Sequence, residues 1–365
     1  MHVSILHNAD ADLLEDDPGR LAREDVKRVA AEVASALEDQ SFDVSLIPVA
    51  ESFEFLDALR ANRPDMVLNL CESLVADSRG EMLVPCLLEL FNIPYTGSSA
   101  LSLGLALHKS TAKELLRAQG VPTPEYAVVN TRAQARQLSL PFPLIVKPVR
   151  EDASVGVDAD SVVHDPESLE RICGNLIRTF QQPALVERYI DGREIYVPLL
   201  GNNPRRSLPL TEIRFGKAFE NQPKVLSYRA KWESHSPECI DSPSELCTLP
   251  PAIEARCVEV ALAAFEALDC RDYGRVDMRL SAEGEPYVID INPNCDLHPD
   301  AGFARAALNA GMSYPELTRR LVEVALERTH GNTPHRRVGS RGARRTAQPD
   351  RNVLRARGRL RARAH

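Results

Sequence analysis

Four side chains late in the sequence are of the types that hold divalent cations and phosphate. Arg275 and Asp277 lie two apart in one apolar run, 273–280, and Asp290 and Asn292 lie two apart in another, 286–291 with its flanking residue. Residues two apart on a strand share a face. Glu283-Gly284 reads as the turn between the runs, so a hairpin is expected that sets a guanidinium, two carboxylates and an amide side by side. Hard oxygen ligands of this sort suit Mg²⁺, which keeps waters and takes phosphate oxygens as further ligands. Arg275 beside such an ion would stabilise charge on a transferring phosphoryl group. The alternative is a solvent-exposed, salt-bridged hairpin. Apolar Val276, Val288, Ile289 and Ile291 weaken it, because buried charges need partners or a metal.

Lysines form a second set. Lys147 ends the apolar run 143–147 and is followed by the loop Glu151-Asp152-Ala153-Ser154-Val155-Gly156, whose small residues would let backbone N–H groups approach phosphate oxygens. By spacing alone the same loop fits an ordinary turn, and Lys147 fits a snorkelling side chain. Lys109 at the head of a helix and Lys231 in the run YRAKW fit surface lysines equally well. A third set is Glu187-Arg188-Tyr189-Ile190 with Glu194. A strand ending in a carboxylate and passing into an apolar linker could take an adenine amino group and stack its ring, and the second glutamate could take ribose hydroxyls. A strand entering a turn at Asp191-Gly192 accounts for the same residues.

The elements that must carry these groups follow from hydrophobic periodicity. Strands are expected at 2–7, 42–49 and 65–70, alternating with helices at 20–40, 52–62 and 80–91, which is the pattern of a βαβ parallel sheet. Such sheets bind ligands beyond the carboxyl ends of their strands, where residues 69–80 fall. A second unit reads as helix 108–119, strands 126–129 and 144–147, helix 166–180 and strand 184–187. A third reads as strand 195–200, helix 251–268, the hairpin, and helices 303–310 and 314–327.

The chain has 365 residues, 44% of them hydrophobic and 26% charged, which points to a globular protein of two or three domains. No apolar run approaches a membrane span, and the first ten residues lack a basic segment and a cleavage site, so a cytoplasmic protein without membrane contact is expected. Eight scattered cysteines with no Cys-x-x-Cys pair read as reduced thiols and argue against structural zinc. The net charge of −8 hides eleven arginines and one acid within 336–365, so the body is strongly acidic and ill suited to nucleic acid. The arginine-rich tail, 331–365, has the composition of a disordered segment.

Taken in chain order, Lys109, Lys147 with its loop, Glu187–Ile190 with Glu194, Lys231, Arg275-Val-Asp277 and Asp290-Ile-Asn292 resemble the ATP-grasp ligases, and within them the D-alanine–D-alanine ligase group. The runs NIPYTGS (92–98), IVKPVREDASVG (145–156) and GMSYPEL (311–317) are also similar to that group. The resemblance implies an α/β architecture of the ATP-grasp type: an N-terminal βαβ parallel-sheet domain, 1–102, followed by two α+β domains, 103–193 and 194–330, that clamp ATP. Carried over, Lys109 and Lys147 would contact the α- and β-phosphates, and the loop with Ser154 would cover them. Glu187, Tyr189 and Ile190 would hold adenine, Glu194 ribose, and Lys231 the γ-phosphate. Asp277, Asp290 and Asn292 would hold two Mg²⁺ ions, with Mn²⁺ as the alternative, and Arg275 would orient an acyl phosphate. The implied reaction joins a small-molecule carboxylate to an amine with release of ADP and phosphate, and the resemblance carries the expectation of a homodimer.

The sequence departs from that group around the amino-acid substrates. Asp290 stands where Glu is usual, and Ala153 where the group has Ser. Residues 8–12 lack the group's glycine-rich turn and its glutamate. NLCESLVADSRG (69–80) replaces a His-Gly-rich loop, and PNCDLHPD (293–300) replaces the segment after the metal Asn. The expectation is a ligase whose carboxylate or amine differs, read by Glu72, Arg79, Asp296 and Asp300; solvated loop charges are the plainer account of those four. A true D-alanine–D-alanine ligase and a non-catalytic nucleotide-binding protein of the same fold are the alternatives.

Overall fold

The computed structural model describes residues 1–9, 20–75 and 77–331. The arginine-rich segment from residue 332 onward and residues 10–12 of the first loop lie outside them.

The chain opens with β1 (His2–Asn8), α1 (Arg20–Glu38), β2 (Asp43–Val49), α2 (Glu54–Ala61), β3 (Met66–Asn69) and α3 (Leu83–Leu90). The three strands form a parallel sheet in the order β2-β1-β3. The central strand β1 is buried along nearly its whole length, as its continuous apolar run requires. Helix α1 sends Val26, Val29, Ala30, Val33 and Leu37 into the same core as Val3, Ile5, Met66 and Leu68.

Next come α4 (Ala100–Leu107), α5 (Lys109–Ala118), β4 (Tyr126–Val129), α6 (Arg132–Ala135), β5 (Leu144–Pro148), β6 (Val162–Val163), α7 (Pro166–Phe180) and β7 (Ala184–Arg188). The strands form an antiparallel sheet, β4-β7-β5-β6, with α7 packed on β5 and β7. Helix α4 was not expected. Its sequence ALSLGLAL is apolar on every side, so no 3.6-residue pattern marks it. It is capped by Ser99, whose hydroxyl accepts from the Ser102 amide at 3.2 Å.

The remaining elements are β8 (Arg193–Leu200), β9 (Arg206–Ser207), β10 (Thr211–Ile213), α8 (Tyr228–Trp232), α9 (Pro237–Ile240), β11 (Ser244–Leu246), α10 (Pro251–Ala267), β12 (Tyr273–Leu280), β13 (Pro286–Asn292), α11 (Gly302–Asn309) and α12 (Tyr314–Gly331). Their sheet runs β11-β10-β8-β12-β13, with β9 beside β8. Helix α10 packs Val260, Ala261, Ala264 and Phe265 into a core shared with Val197, Val276, Met278 and Val288. Each of the valine, methionine and phenylalanine side chains among these contributes roughly 1.5–3 kcal/mol. Gly274 permits the close approach: a Cβ there would lie 2.6 Å from Phe265 Cε2 and 2.8 Å from the Asn292 carbonyl oxygen. Helix α12 returns to the first sheet and buries Leu317, Leu321, Val322 and Val324 in the core that α1 and β3 share.

Candidate active site

The expected hairpin forms, with β12 and β13 antiparallel and Arg275 opposite Asn292 and Asp277 opposite Asp290. The register shifts by one after Asp277, so Ile289 is an extra residue on β13. This bulge resolves a conflict in the sequence. Val288 and Ile291 both belong to the core, yet they are three apart, an odd spacing that a regular strand sends to opposite faces. With the bulge, Asp290 and Asn292 reach the cavity side while Val288 and Ile291 stay inside. Arg275 grips Asp277 with two parallel bonds, Nε to Oδ1 at 2.6 Å and Nη2 to Oδ2 at 2.8 Å, and Asn292 Nδ2 donates to Asp277 Oδ2 at 3.0 Å. The Tyr196 ring lies under the guanidinium, 4.3 Å from its carbon.

These groups line one wall of a cleft of about 950 Å³ between the two antiparallel sheets. Lys109, at the start of α5, donates to Asp290 Oδ2 at 2.7 Å and Asp152 Oδ1 at 3.0 Å. Burial works against its charge, but the two carboxylates outweigh it and hold Lys109 protonated well above the usual range. Burial likewise opposes the charge on Asp290, and Lys109 and Lys147 overcome it to hold that carboxyl low. Lys147 reaches Glu187 Oε2 at 2.6 Å, and Lys113 pairs with the other oxygen of Glu187. Glu187 is only 1% exposed. At the far end, Arg279 donates to the Ile190 carbonyl at 3.0 Å, to Glu194 Oε2 at 3.1 Å and to the Lys224 carbonyl at 3.0 Å.

The loop after β5 roofs the cleft. Ala153 and Ser154 both take positive φ, 54° and 63°, and Gly156 follows at 75°. Two successive non-glycine residues in the left-handed region are costly, and such strain gathers at functional loops. The loop is tied to the α8 region: Ser154 Oγ donates to the Leu226 carbonyl at 2.8 Å, and Trp232 Nε1 donates to the Ala153 carbonyl at 3.0 Å. Lys231 on α8 and Arg275 on β12 line the cleft and also a second cavity of about 1010 Å³, bounded by Asp25, Glu72, Glu81 and Asp296. Burial and the neighbouring Arg275 push the Lys231 ammonium down. Burial, with Asp296 nearby, pushes the Glu72 carboxyl up to about 8.

Residues 115–323 match a family model described as the D-ala D-ala ligase C-terminus. A D-alanine–D-alanine ligase of Desulforudis audaxviator is 30% identical over 312 residues, which is 84% of this chain and 95% of that protein. The chain belongs to the D-alanine–D-alanine ligase family. It is an ATP-dependent ligase with the ATP-grasp fold. An uncharacterized protein, y4sG, of Sinorhizobium fredii is 36% identical over 316 residues, covering 84% of this chain and 89% of that one. In architecture the chain is similar to the D-alanine–D-alanine ligase of Bacillus anthracis complexed with ATP, with a TM-score of 0.70 at 23% identity over 91% of this chain and all of that one.

Within this ligase fold, the structure gathers Lys109, Lys147, Ser154, Glu187, Tyr189, Ile190, Glu194, Lys231, Arg275, Asp277, Asp290 and Asn292 on the first cleft. Glu72 and Asp296 line the second cavity. Arg79 and Asp300 are not brought there. Arg79 is a surface side chain, 63% exposed, forked onto Asp77, and Asp300 is exposed with its amide donating to His298 Nδ1 at 3.2 Å. Asp152 was marked only as part of its loop, without its bond to Lys109; sequence reasoning missed Lys113 and Arg279. Lys113 stands one helical turn after Lys109 and Arg279 two residues after Asp277, so each shared a face with a residue already singled out; the charge was visible, its partner was not. Among the described residues no group of three or more His, Cys, Asp or Glu side chains converges as a metal site. What the hairpin offers is two carboxylates in register and an amide on one face.

Proposed function

We propose that the chain joins a carboxylate to an amine through an acyl phosphate made from ATP. The observation that carries this reading is the placement of Lys231 and Arg275 on the wall common to both cavities, where a phosphoryl group leaving one would meet a carboxylate held in the other. ATP would lie in the first cleft, its base against Tyr189 and Ile190, its ribose at Glu194 and its phosphates along Lys109 and Lys147. Glu187 then acts from below, fixing Lys147 from one side while Lys113 balances it from the other. Asp277, Asp290 and Asn292 fit a hard cation that fills its remaining sites with water and phosphate oxygens. When bound, Mg²⁺ offsets phosphate charge.

The chemistry divides into two displacements. A carboxylate oxygen attacks the γ-phosphorus and the bond to the β-phosphate oxygen breaks, giving acyl phosphate and ADP. A neutral amine nitrogen then attacks the acyl carbon, phosphate departs with the C–O electron pair, and the nitrogen loses a proton. Lys231 and Arg275 face the charge that develops on the transferred group in both steps. The strained loop over the cleft would keep water from the acyl phosphate.

The rewritten segments 69–80 and 293–300 support substrates other than two D-alanines. The test is ADP release by the whole chain against a panel of amino acids and small carboxylates, with product mass read alongside. Turnover that needs both a carboxylate and an amine supports the reading. Turnover with D-alanine alone, at the level of a dedicated dipeptide ligase, would overturn the altered pocket. Hydroxylamine trapping without amine separates a ligase from a phosphotransferase that stops at the acyl phosphate.

A further inference from the structure

Along the first cleft, β12 and β8 set Asp277 opposite Tyr196 and Arg279 opposite Glu194. Glu194 and Arg279 are only 7% and 5% exposed, and Arg279 is the one cation paired with Glu194 among the described residues. Both oxygens of Glu194 are engaged: Tyr196 Oη donates to Oε1 at 3.0 Å and Arg279 Nη1 to Oε2 at 3.1 Å. A carboxylate has about four acceptor sites, so each oxygen keeps one to spare. Two hydroxyls on adjacent carbons match that pair. The same guanidinium donates to the Ile190 carbonyl, on the linker after β7, and to the Lys224 carbonyl, in the loop that Ser154 holds through Leu226. Its carbon lies 5.4 Å from the Tyr189 ring centre, and the Tyr189 hydroxyl donates to the Lys224 carbonyl at 3.2 Å. One planar fork thus joins Glu194 to both segments that flank the base position, which a point charge does not do. An apolar pair of similar volume would serve the fold as well as a buried ion pair, so the pair's place on the cleft wall points to a ligand.

We infer that Arg279 is a positioning residue for the nucleotide: it holds the Glu194 carboxylate so that the two spare acceptor sites meet the ribose 2′- and 3′-hydroxyls, and so makes the cleft select ribonucleotides over nucleotides that lack them. This rests on the placement of the ribose at Glu194 given above. Calorimetry on the full chain with Mg·ADP and with Mg·2′,3′-dideoxy-ADP tests it, in the parent, Glu194→Gln, Arg279→Met and Arg279→Lys, with thermal melting of each variant. The parent should bind ADP at least about tenfold tighter than the dideoxy nucleotide. Arg279→Met should cut that preference to about threefold or less, with dideoxy-ADP bound within about twofold of the parent, and Arg279→Lys should fall between. Equal weakening of both nucleotides with the preference intact would make Arg279 a merely structural residue and overturn the inference. If Arg279→Met fails to fold, an undiminished preference in Arg279→Lys overturns it instead. A preference lost in Glu194→Gln but kept in the Arg279 variants sinks the inference alone. A preference that Glu194→Gln leaves intact, or a parent that does not bind ADP, sinks the placement of the nucleotide and the inference with it.

Discussion

Glu187 shows how one residue can be legible in type and hidden in role. Its place at the end of an apolar run marked it for a nucleotide site, and it does line the cleft. Its carboxylate, however, is held between Lys113 and Lys147. Nothing in the linear sequence pairs those three, because they come from α5, β5 and β7 and meet only when the sheet closes. Removing the carboxylate leaves two buried lysines facing each other, so Glu187→Ala should lose about 3–5 kcal/mol of stability in denaturant unfolding. Adding Lys113→Met should return part of that loss; an unchanged or additive loss would mean the three do not act as a unit. Glu72 gives a pH signature. Its folded carboxyl keeps its proton up to about 8, against an ordinary 4.5, so its contribution is full below about 4.5 and is lost as pH rises toward 8. Glu72→Gln should therefore gain melting temperature over the parent progressively between about pH 5 and pH 9; parallel curves would contradict the buried setting.

At the scale of elements, most of the framework could be read from periodicity. The βαβ start, the hairpin, and helices α7 and α10 fall within a residue or two of where apolar spacing puts them. What could not be read has physical reasons. Helix α4 is apolar on all sides, and β10 and β11 are three residues each, too short to show alternation. The bulge at Ile289 was latent in the odd spacing of Val288 and Ile291, but only the partner strand fixes which residue is extra. The hairpin's precision rests on backbone contact, so Gly274→Ala should force β12 from Phe265 and from β13. A loss of about 1–3 kcal/mol is expected, with turnover falling more than nucleotide affinity, since Arg275 is the next residue. Full activity in that variant would show that the hairpin tolerates displacement.

At the scale of the whole molecule, α12, the last helix among the described residues, closes on the first sheet. Helix α12 buries Leu317, Leu321 and Val322 in the core built by α1, β1 and β3. A chain ended at Met312 should expose that core and fail to fold cooperatively, whereas one ended after Gly331 should keep its ligase activity; loss of activity in the second would assign a role to the arginine-rich segment. The grouping of the first cleft was legible because its charges recur in a fixed order; of the four side chains expected around the substrates, Glu72 and Asp296 line the second cavity, while Arg79 and Asp300 carry suitable charge in places the fold leaves at the surface. The central claim concerns Arg275, Asp277, Asp290 and Asn292 acting together on a carboxylate. The most direct measurement follows ¹⁸O from a labelled carboxylate substrate of this chain into released phosphate, in the parent and in Asp277→Ala. Transfer of one labelled oxygen per ADP in the parent, with none in the variant, is the expected result. ADP release with unlabelled phosphate, or ATP bound and never cleaved, would contradict it.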